Sequence, residues 1–187
     1  MSDLALAGGA ECHRVGSRPA LGAEELCRIY AARVFRFAAM VARGNAEAED
    51  IAQEALLKAI RTLDSYDPRR GSMDAWLWTI VVSAAQDAGR AAGRRLALWE
   101  RLTRLPERSE SVESIALDRL SDAQLLEAIR GLPSRDRTLI ALRFGAGLDH
   151  AATGAAVGIS AAAATMALRR ALRSLRRQLE EPHEQDA

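Results

Sequence analysis

The stretch NAEAEDIAQEALLKAIRTLDSYDPRRGSMDAWLWTIVVSAAQDAGRAAGRR, residues 45–95, decides the fold of this chain. Its apolar residues recur at three- and four-residue intervals on both sides of a polar turn at residues 67–71, which predicts two amphipathic helices. Asn45 is expected to cap the first helix and Ser72 the second, because such side chains accept hydrogen bonds from the free N–H groups of a first turn. The apolar stripe of the first helix consists of Ile51, Ala55, Leu56, Ala59, Ile60 and Leu63.

The rest of a predicted three-helix domain comes from the second helix and from the segment before residue 45. The inward residues of the second helix are expected to be Trp76, Leu77, Ile80 and Val81. We assign Trp76 to the core rather than to base stacking, since large aromatic side chains are mostly buried. Residues 22–41 carry another helical stripe, made of Leu26, Ile29, Tyr30, Val34, Phe37 and Val41. The first domain is thus predicted at residues 23–95, after a disordered tail at residues 1–22.

Two runs in this domain, AEDIAQEALLKA and DPRRGSMDAWLWTIV, resemble the second conserved region of bacterial sigma factors of the extracytoplasmic-function type. The resemblance implies a surface for core RNA polymerase at Asp50, Gln53, Glu54 and Leu57. It also implies that the helix from Val82 meets the minus-ten element of a promoter through Ser83, Gln86, Asp87, Arg90 and Arg94. This family usually has Arg and Asn where the chain has Val82 and Ser83, so its base contacts here are altered.

A second domain is predicted at residues 121–181, beyond a flexible linker at residues 96–120 and before a tail at residues 182–187. Ser121 opens a capping-box pattern. The inward residues of its first two helices are expected to be Leu125, Leu126, Ile129, Leu139, Ile140, Leu142 and Phe144. Asp149 then caps a short helix, Gly158 makes a turn, and Ser160 caps a long final helix. This spacing predicts a helix-turn-helix.

The run LPSRDRTLIALRFGAGLDHAATGAAVGIS resembles the fourth region of the same sigma family, which binds the minus-thirty-five element. The resemblance implies DNA contacts from Ser160, Ala161, Ala162, Thr165, Arg169 and Arg170. The helix begins with four alanines, which can touch a thymine methyl but cannot hydrogen-bond to base edges. Arg169 and Arg170 are better suited to phosphates than to bases.

The composition favours an all-α protein of two small domains that is not an enzyme. The chain has 187 residues, a net charge of +1 and two cysteines without a CxxC pattern, so we expect free thiols and neither metal nor cofactor. No nucleotide-binding glycine loop or catalytic triad pattern is present, and His150 stands at a helix start. Residues 151–168 are uncharged but built of small residues, so no membrane insertion is expected. The predicted location is the cytoplasm.

Three functional hypotheses follow, of which one, a transcription regulator that uses only the helix-turn-helix, is disfavoured by the intact first domain. In the first, the resemblance implies a sigma factor that binds core RNA polymerase and promoter DNA, with an anti-sigma factor as its usual regulator. In the second, the chain is a sigma-like decoy, an interaction module that binds an anti-sigma factor or polymerase without reading a promoter. The alanine-rich helix and Ser83 favour the second hypothesis.

Overall fold

The structure is a computed structural model that describes residues 21–103 and 119–180, with side chains for residues 21–95 and 123–180. Within these ranges the chain is all-helical, and the predicted all-α, two-domain class is confirmed. The predicted N-terminal tail, apart from residues 21–22, the whole predicted C-terminal tail and most of the predicted linker lie outside the described residues. The first domain contains α1 (Ala23–Val41), α2 (Asn45–Thr62) and α3 (Met73–Thr103). The second contains α4 (Arg119–Gly131), α5 (Ser134–Ile140), α6 (His150–Val157) and α7 (Ala161–Glu180).

The core of the first domain is formed by one stripe from each helix. Alanines at 48, 52, 55 and 59 on α2 are buried and let α1 and α3 approach closely. The large side chains between the helices are Leu26, Tyr30, Val34, Phe37, Ile51, Leu77, Trp78 and Val81. Three helices with mutually buried stripes are the bundle that the apolar periodicity predicted.

Trp78 is the fully buried tryptophan, which the sequence analysis missed, whereas Trp76, assigned to the core from the sequence, packs against that core as a partly buried side chain. Trp78 is 0% exposed and packs edge-on against Phe37, with ring centroids 5.7 Å apart. Trp76 is half-buried and lies against Tyr66, whose ring centroid is also 5.7 Å away. The buried stripe of α3 runs through Leu77, Trp78, Val81 and Val82, one position further round the helix than expected.

Several further expectations need correction. Asn45 does not cap α2: the cap is Gly44, and the free amide of Arg43 donates to Glu47 Oε2 at 2.7 Å. Ser121 lies inside α4 rather than before it. Three residues expected to point inward are exposed because each lies off the stripe that its helix buries: Ile29, Leu125 and Phe144.

The caps at Ser72, Asp149 and Ser160 are confirmed by bonds to the amides of Ala75, Ala152 and Ala163.

The two domains pack against each other. The chain between α5 and α6 forms a π-helical turn, Ala141–Gly145, which lies on α1, and α6 lies on α3. Leu142, Leu148 and Ala156 belong to the same apolar cluster as the first-domain core. The second domain also has its own cluster, composed of Ile129, Leu132, Leu139, Ile140, Ala167, Leu168, Ala171 and Leu175.

Among the described residues, no single helix is both long and apolar enough to cross a bilayer. The bent pair α6 and α7 meets that test only when its two helices are counted together.

Candidate functional site

The residues predicted to face polymerase form one exposed strip on α2. Asp50, Gln53 and Glu54 are exposed, and Leu57 follows one turn later with 45% of its surface accessible. They lie together because steps of three and four residues stay on one face of a helix. The opposite face of α2 carries Ile51, Ala55 and Ala59 into the core. The strip thus presents two carboxylates, an amide and an unburied leucine to solvent.

A groove of about 430 Å³ runs between α2 and α3 beside this strip. Its floor is apolar, formed by Ile51, Ala84, Ala88 and Ala91. Its rim carries Asp50 and Glu54 from α2, and Asp87 and Arg94 from α3. The structure therefore brings two residues of the predicted polymerase strip and two of the predicted minus-ten residues to the same groove. The sequence alone gave no indication of this, because the pair on α2 and the pair on α3 are separated along the chain by a turn and by parts of both helices.

The predicted minus-ten residues share one side of α3. Gln86, Asp87, Arg90 and Arg94 are exposed, whereas Ser83 is half-buried. Arg90 Nη2 donates to Asp87 Oδ1, and both side chains remain largely open to solvent. This face offers an amide and cations, with one cation partly neutralised.

The second domain has the geometry of a helix-turn-helix. Asp149 caps α6 by accepting from Ala152 N at 2.7 Å. Gly158 ends the helix with φ +72°, the left-handed conformation that favours glycine at this position. The axis of α7 is bent by 95° from that of α6. These features place α7 as the second helix of the motif. Over its first two turns Ala161, Ala162, Ala163 and Met166 are exposed, and Ala164, Ala167 and Leu168 are buried.

Gly154 allows the turn to fold back on α6. A Cβ atom at residue 154 would lie 2.7 Å from Ile159 O and 3.1 Å from Ser160 O, both backbone atoms of the turn. Backbone cannot move aside as a flexible side chain does. The glycine at position 154 is therefore a packing requirement of this turn.

We expect Gly154→Val to destabilise the chain by about 1–3 kcal/mol, the usual range for an overpacked site. Ala155→Val is the matched control, because Ala155 is exposed on the same helix. Urea unfolding followed by far-UV circular dichroism measures both free energies of unfolding. Equal losses in the two variants would mean that β-branching in α6, and not contact with the turn, is what destabilises the chain.

The start of α7 offers few hydrogen-bonding groups to DNA. Ala161, Ala162 and Ala163 are exposed. The Ser160 hydroxyl accepts from Ala163 N at 3.2 Å, and the Thr165 hydroxyl donates to Ala161 O at 3.0 Å. Each of the two hydroxyls thus already makes one hydrogen bond to backbone, which fixes its orientation and reduces its capacity for DNA. The first exposed charged side chains are Arg169 and Arg170.

Met166 is a candidate contact that the sequence analysis missed. Its side chain is 57% exposed. It lies on the same face of α7 as Ala162, one turn before it, and Arg170, one turn after it. A thioether on a flexible stem can contact a thymine methyl or a sugar but cannot read a donor or acceptor pattern. The signal was available as an apolar residue on the outward face of the predicted recognition helix.

A second, basic groove of about 660 Å³ lies between α5 and the far half of α7. Its charged lining consists of Asp136, Arg170, Arg173, Arg176, Arg177 and Glu180. Arg176 Nε donates to Glu180 Oε1 at 2.6 Å, which neutralises one of the four arginines. The other three arginines, Arg170, Arg173 and Arg177, extend the positive charge of Arg169 along α7. It extends the surface on which a phosphate backbone is favoured.

The described side chains do not indicate a metal site. No group of three His, Cys, Asp or Glu side chains in these ranges has a metal-binding arrangement. Cys27 is a free thiol, as expected, and is half-buried on α1, whereas Cys12 lies outside the described residues. His150 is exposed at the start of α6.

Comparison with known protein families matches both domains. Residues 26–95 match the family described as Sigma-70 region 2, and residues 128–177 match that described as Sigma-70, region 4. The ECF RNA polymerase sigma factor SigE of Mycolicibacterium smegmatis is 31% identical over 155 residues, covering 82% of this chain and 60% of that protein. The RNA polymerase sigma factor CarQ of Myxococcus xanthus is 33% identical over 161 residues, covering 84% of this chain and 89% of that protein.

The fold is also similar to that of a solved structure, the sigma factor RpoE in complex with the anti-sigma factor NepR from Bartonella quintana. The TM-score is 0.70 at 21% identity, over 86% of this chain and 98% of that chain. At this identity the likeness concerns the fold. The present chain spans 60% of the length of the SigE relative, so that protein contains further sequence.

Proposed function

The chain belongs to the extracytoplasmic-function sigma factors of the sigma-70 family, and from this we propose that it binds core RNA polymerase and directs it to promoters. The observation that supports this most is the order of the two matched regions, residues 26–95 and 128–177, in one chain. A lone helix-turn-helix occurs in many regulators, but the first region adds a second surface of a different kind. We propose no catalytic role for any residue.

Core polymerase is proposed to bind the strip on α2. Asp50, Gln53 and Glu54 have no role in the core of the domain, and Leu57 leaves apolar area open. A mixture of exposed charge and an unburied apolar side chain suits a protein partner, since charge steers association and apolar area contributes affinity. The partner surface would carry complementary positive charge.

Promoter DNA is proposed to bind both domains. On α3 the minus-ten contacts would come from Ser83, Gln86, Asp87, Arg90 and Arg94. On α7 the minus-thirty-five contacts would come from Ser160, Ala161, Ala162, Thr165, Arg169 and Arg170. Because the hydroxyls of Ser160 and Thr165 bond to backbone, base reading is assigned mainly to α3. The arginines of α7 would supply sequence-independent affinity.

Run-off transcription tests the proposal. Purified core polymerase and the full chain are combined on sheared genomic DNA of the source bacterium, and transcript starts are mapped. A recurrent start position that depends on the chain is expected. Core polymerase alone is the control, and an unchanged pattern of starts would contradict the proposed function.

An anti-sigma factor is the proposed regulator, and the cytoplasm, where polymerase is found, is the proposed location. The similar RpoE structure is a complex with an anti-sigma factor, which supports a partner of that class for this chain.

A decoy that binds polymerase or an anti-sigma factor without reading a promoter is the second candidate. The exposed alanines at 161, 162 and 163 favour it. The run-off experiment separates the two candidates when a competing sigma factor is added: a decoy would inhibit transcription by that factor and would add no start position of its own.

A further inference from the structure

Opposite charges are concentrated on two helices, one in each domain. α2 carries four carboxylates and two cations, whereas α7 carries five arginines and one glutamate. The net charge of the whole chain is only +1. This balanced total therefore conceals an acidic helix in the first domain and a basic helix in the second.

Most of the charge in the basic groove between α5 and α7 is free to bind an anion. Arg176 is paired with Glu180, but among the side chains that the structure describes Arg170, Arg173 and Arg177 form no ion pair. A guanidinium carries its N–H donors in a planar fork, and two of them fit the oxygens of one carboxylate. Because these three arginines are spaced at helical intervals, the groove presents their forks along one face of α7.

Beyond Arg170 the basic groove is better suited to a protein than to DNA. In a helix-turn-helix the N-terminal residues of the second helix contact base edges, and the major groove is only about 12 Å wide. At about 1.5 Å per residue, Arg173 and Arg177 lie about 18 and 24 Å along the axis from the first residue of α7. Asp136 and Glu180 line the same groove and repel a phosphate backbone, whereas a protein surface can offer them a cation.

The strip on α2 has the complementary charges. Its Asp50 and Glu54 form no ion pair among the described side chains, and Lys58 follows one turn after Glu54. The two carboxylates are one turn apart, about 6 Å along the axis, which is close to the spacing of the arginines on α7. Each surface also ends in an exposed leucine, Leu57 with 45% and Leu179 with 50% of its surface accessible. The two surfaces thus match in charge, in spacing and in exposed apolar area.

We propose that free copies of this chain associate with each other, with the α2 strip of one copy lying in the basic groove of its partner. Asp50 and Glu54 pair with Arg173 and Arg177, and Lys58 faces the carboxylates of the groove. Each copy carries both surfaces, so a two-fold dimer makes the contact twice and closes. This association goes beyond the proposed function and does not rest on it. It covers the strip proposed for polymerase, so the associated form is withheld from that partner.

Sedimentation equilibrium of the full chain, without polymerase or DNA, tests the association independently of the proposed function. The weight-average mass of the parent should rise with protein concentration, and should fall again as salt screens the exposed charges. Asp50→Arg with Glu54→Arg should lower the association constant at least about tenfold, and so should Arg173→Glu with Arg177→Glu, because like charges then face each other. Circular dichroism should show the helicity of the parent in both.

A mixture of the two reversed chains gives the sharpest result. The reversed strip of one variant then meets the reversed groove of the other, and the two remaining surfaces also have opposite charges. An equimolar mixture should therefore recover the association of the parent, although each variant alone associates weakly. A mixture that associates no better than its components would overturn the pairing of these two surfaces.

Two control variants change the net charge by the same amounts at exposed positions outside both surfaces. They are Glu24→Arg with Glu127→Arg, and Arg28→Glu with Arg70→Glu. Both should associate like the parent at equal ionic strength. Losses equal to those of the reversed chains would overturn the proposal, because overall charge and not the two surfaces would then govern the association.

Carbodiimide cross-linking locates the contact, since Lys58 is the only lysine in the chain. In a mixture of unlabelled and isotope-labelled parent, cross-links between copies should join Lys58 to Asp136 or Glu180, the two carboxylates of the basic groove. Cross-links between copies that reach only other carboxylates would overturn this contact even if the mass rises. A parent that stays monomeric at every concentration would overturn the association itself and leave the basic groove to a different acidic partner.

Discussion

A chain with Asp50→Arg and Glu54→Arg will bind core RNA polymerase at least about tenfold more weakly than the parent, because like charges brought together across an interface cost several kcal/mol. Both side chains are exposed and rim the groove between α2 and α3, and neither contributes to the core. The folded domain should therefore survive, and run-off transcription should fall in parallel. Fluorescence titration of labelled core polymerase measures the affinity, and circular dichroism checks the helicity.

The matched control is Glu24→Arg with Asp64→Arg. These residues are exposed and lie at the start of α1 and after the end of α2, outside the groove, and their replacement changes the net charge by the same amount. The control should retain the affinity of the parent at equal ionic strength. Equal weakening of the two double variants would mean that overall charge, and not this strip, governs the interaction.

The groove between α2 and α3 places the proposed polymerase strip next to the proposed DNA-binding face. Because Asp50 and Glu54 share its rim with Asp87 and Arg94, a partner seated on α2 lies within reach of the α3 face. A polymerase element bound there would change the charge that DNA meets at Arg94. Binding of polymerase and binding of the minus-ten element are thus expected to be coupled through one surface rather than through a change in the core.

Helical periodicity was enough to predict the helices and most of the core. Leu26, Tyr30, Val34 and Phe37 are buried as their spacing indicates, and three of the named caps form their bonds. These features are local, since they depend on residues within one or two turns of a helix. The exposed strip on α2 could be named for the same reason, as the complement of a buried stripe.

Features that depend on contact between distant elements could not be predicted. The choice between Trp76 and Trp78 depends on which side of α3 faces Phe37, and a shift of one residue exchanges them. In a regular helix the spacing of Phe144 would place its side chain in the core. Phe144 instead lies in the π turn, where its side chain is 57% exposed. The contact of Gly145 with α1 joins residues more than a hundred positions apart, and no local pattern marks it.

Replacing Arg169 and Arg170 with alanine will weaken binding of duplex DNA about equally on every sequence. Both arginines are exposed on α7, and the residues before them provide alanines and hydroxyls that bond to backbone. Bidentate base contacts are each worth about 1–3 kcal/mol of discrimination, and this helix start has no side chain that can make one. What remains is attraction to phosphates, which is independent of sequence and sensitive to salt.

Fluorescence anisotropy over a range of salt concentrations measures this effect on the full chain. Loss of two phosphate contacts should reduce the slope of log affinity against log salt by about 1.8, since each contact contributes about 0.9. Arg28→Ala with Arg61→Ala removes the same charge from exposed positions in the first domain and should leave the slope unchanged. Selection from randomised duplexes at fixed salt then tests the absence of base reading. Strong enrichment of one motif that disappears with Met166→Ala would contradict the account, because it would mean that α7 discriminates through methyl contacts and DNA shape rather than through phosphates alone.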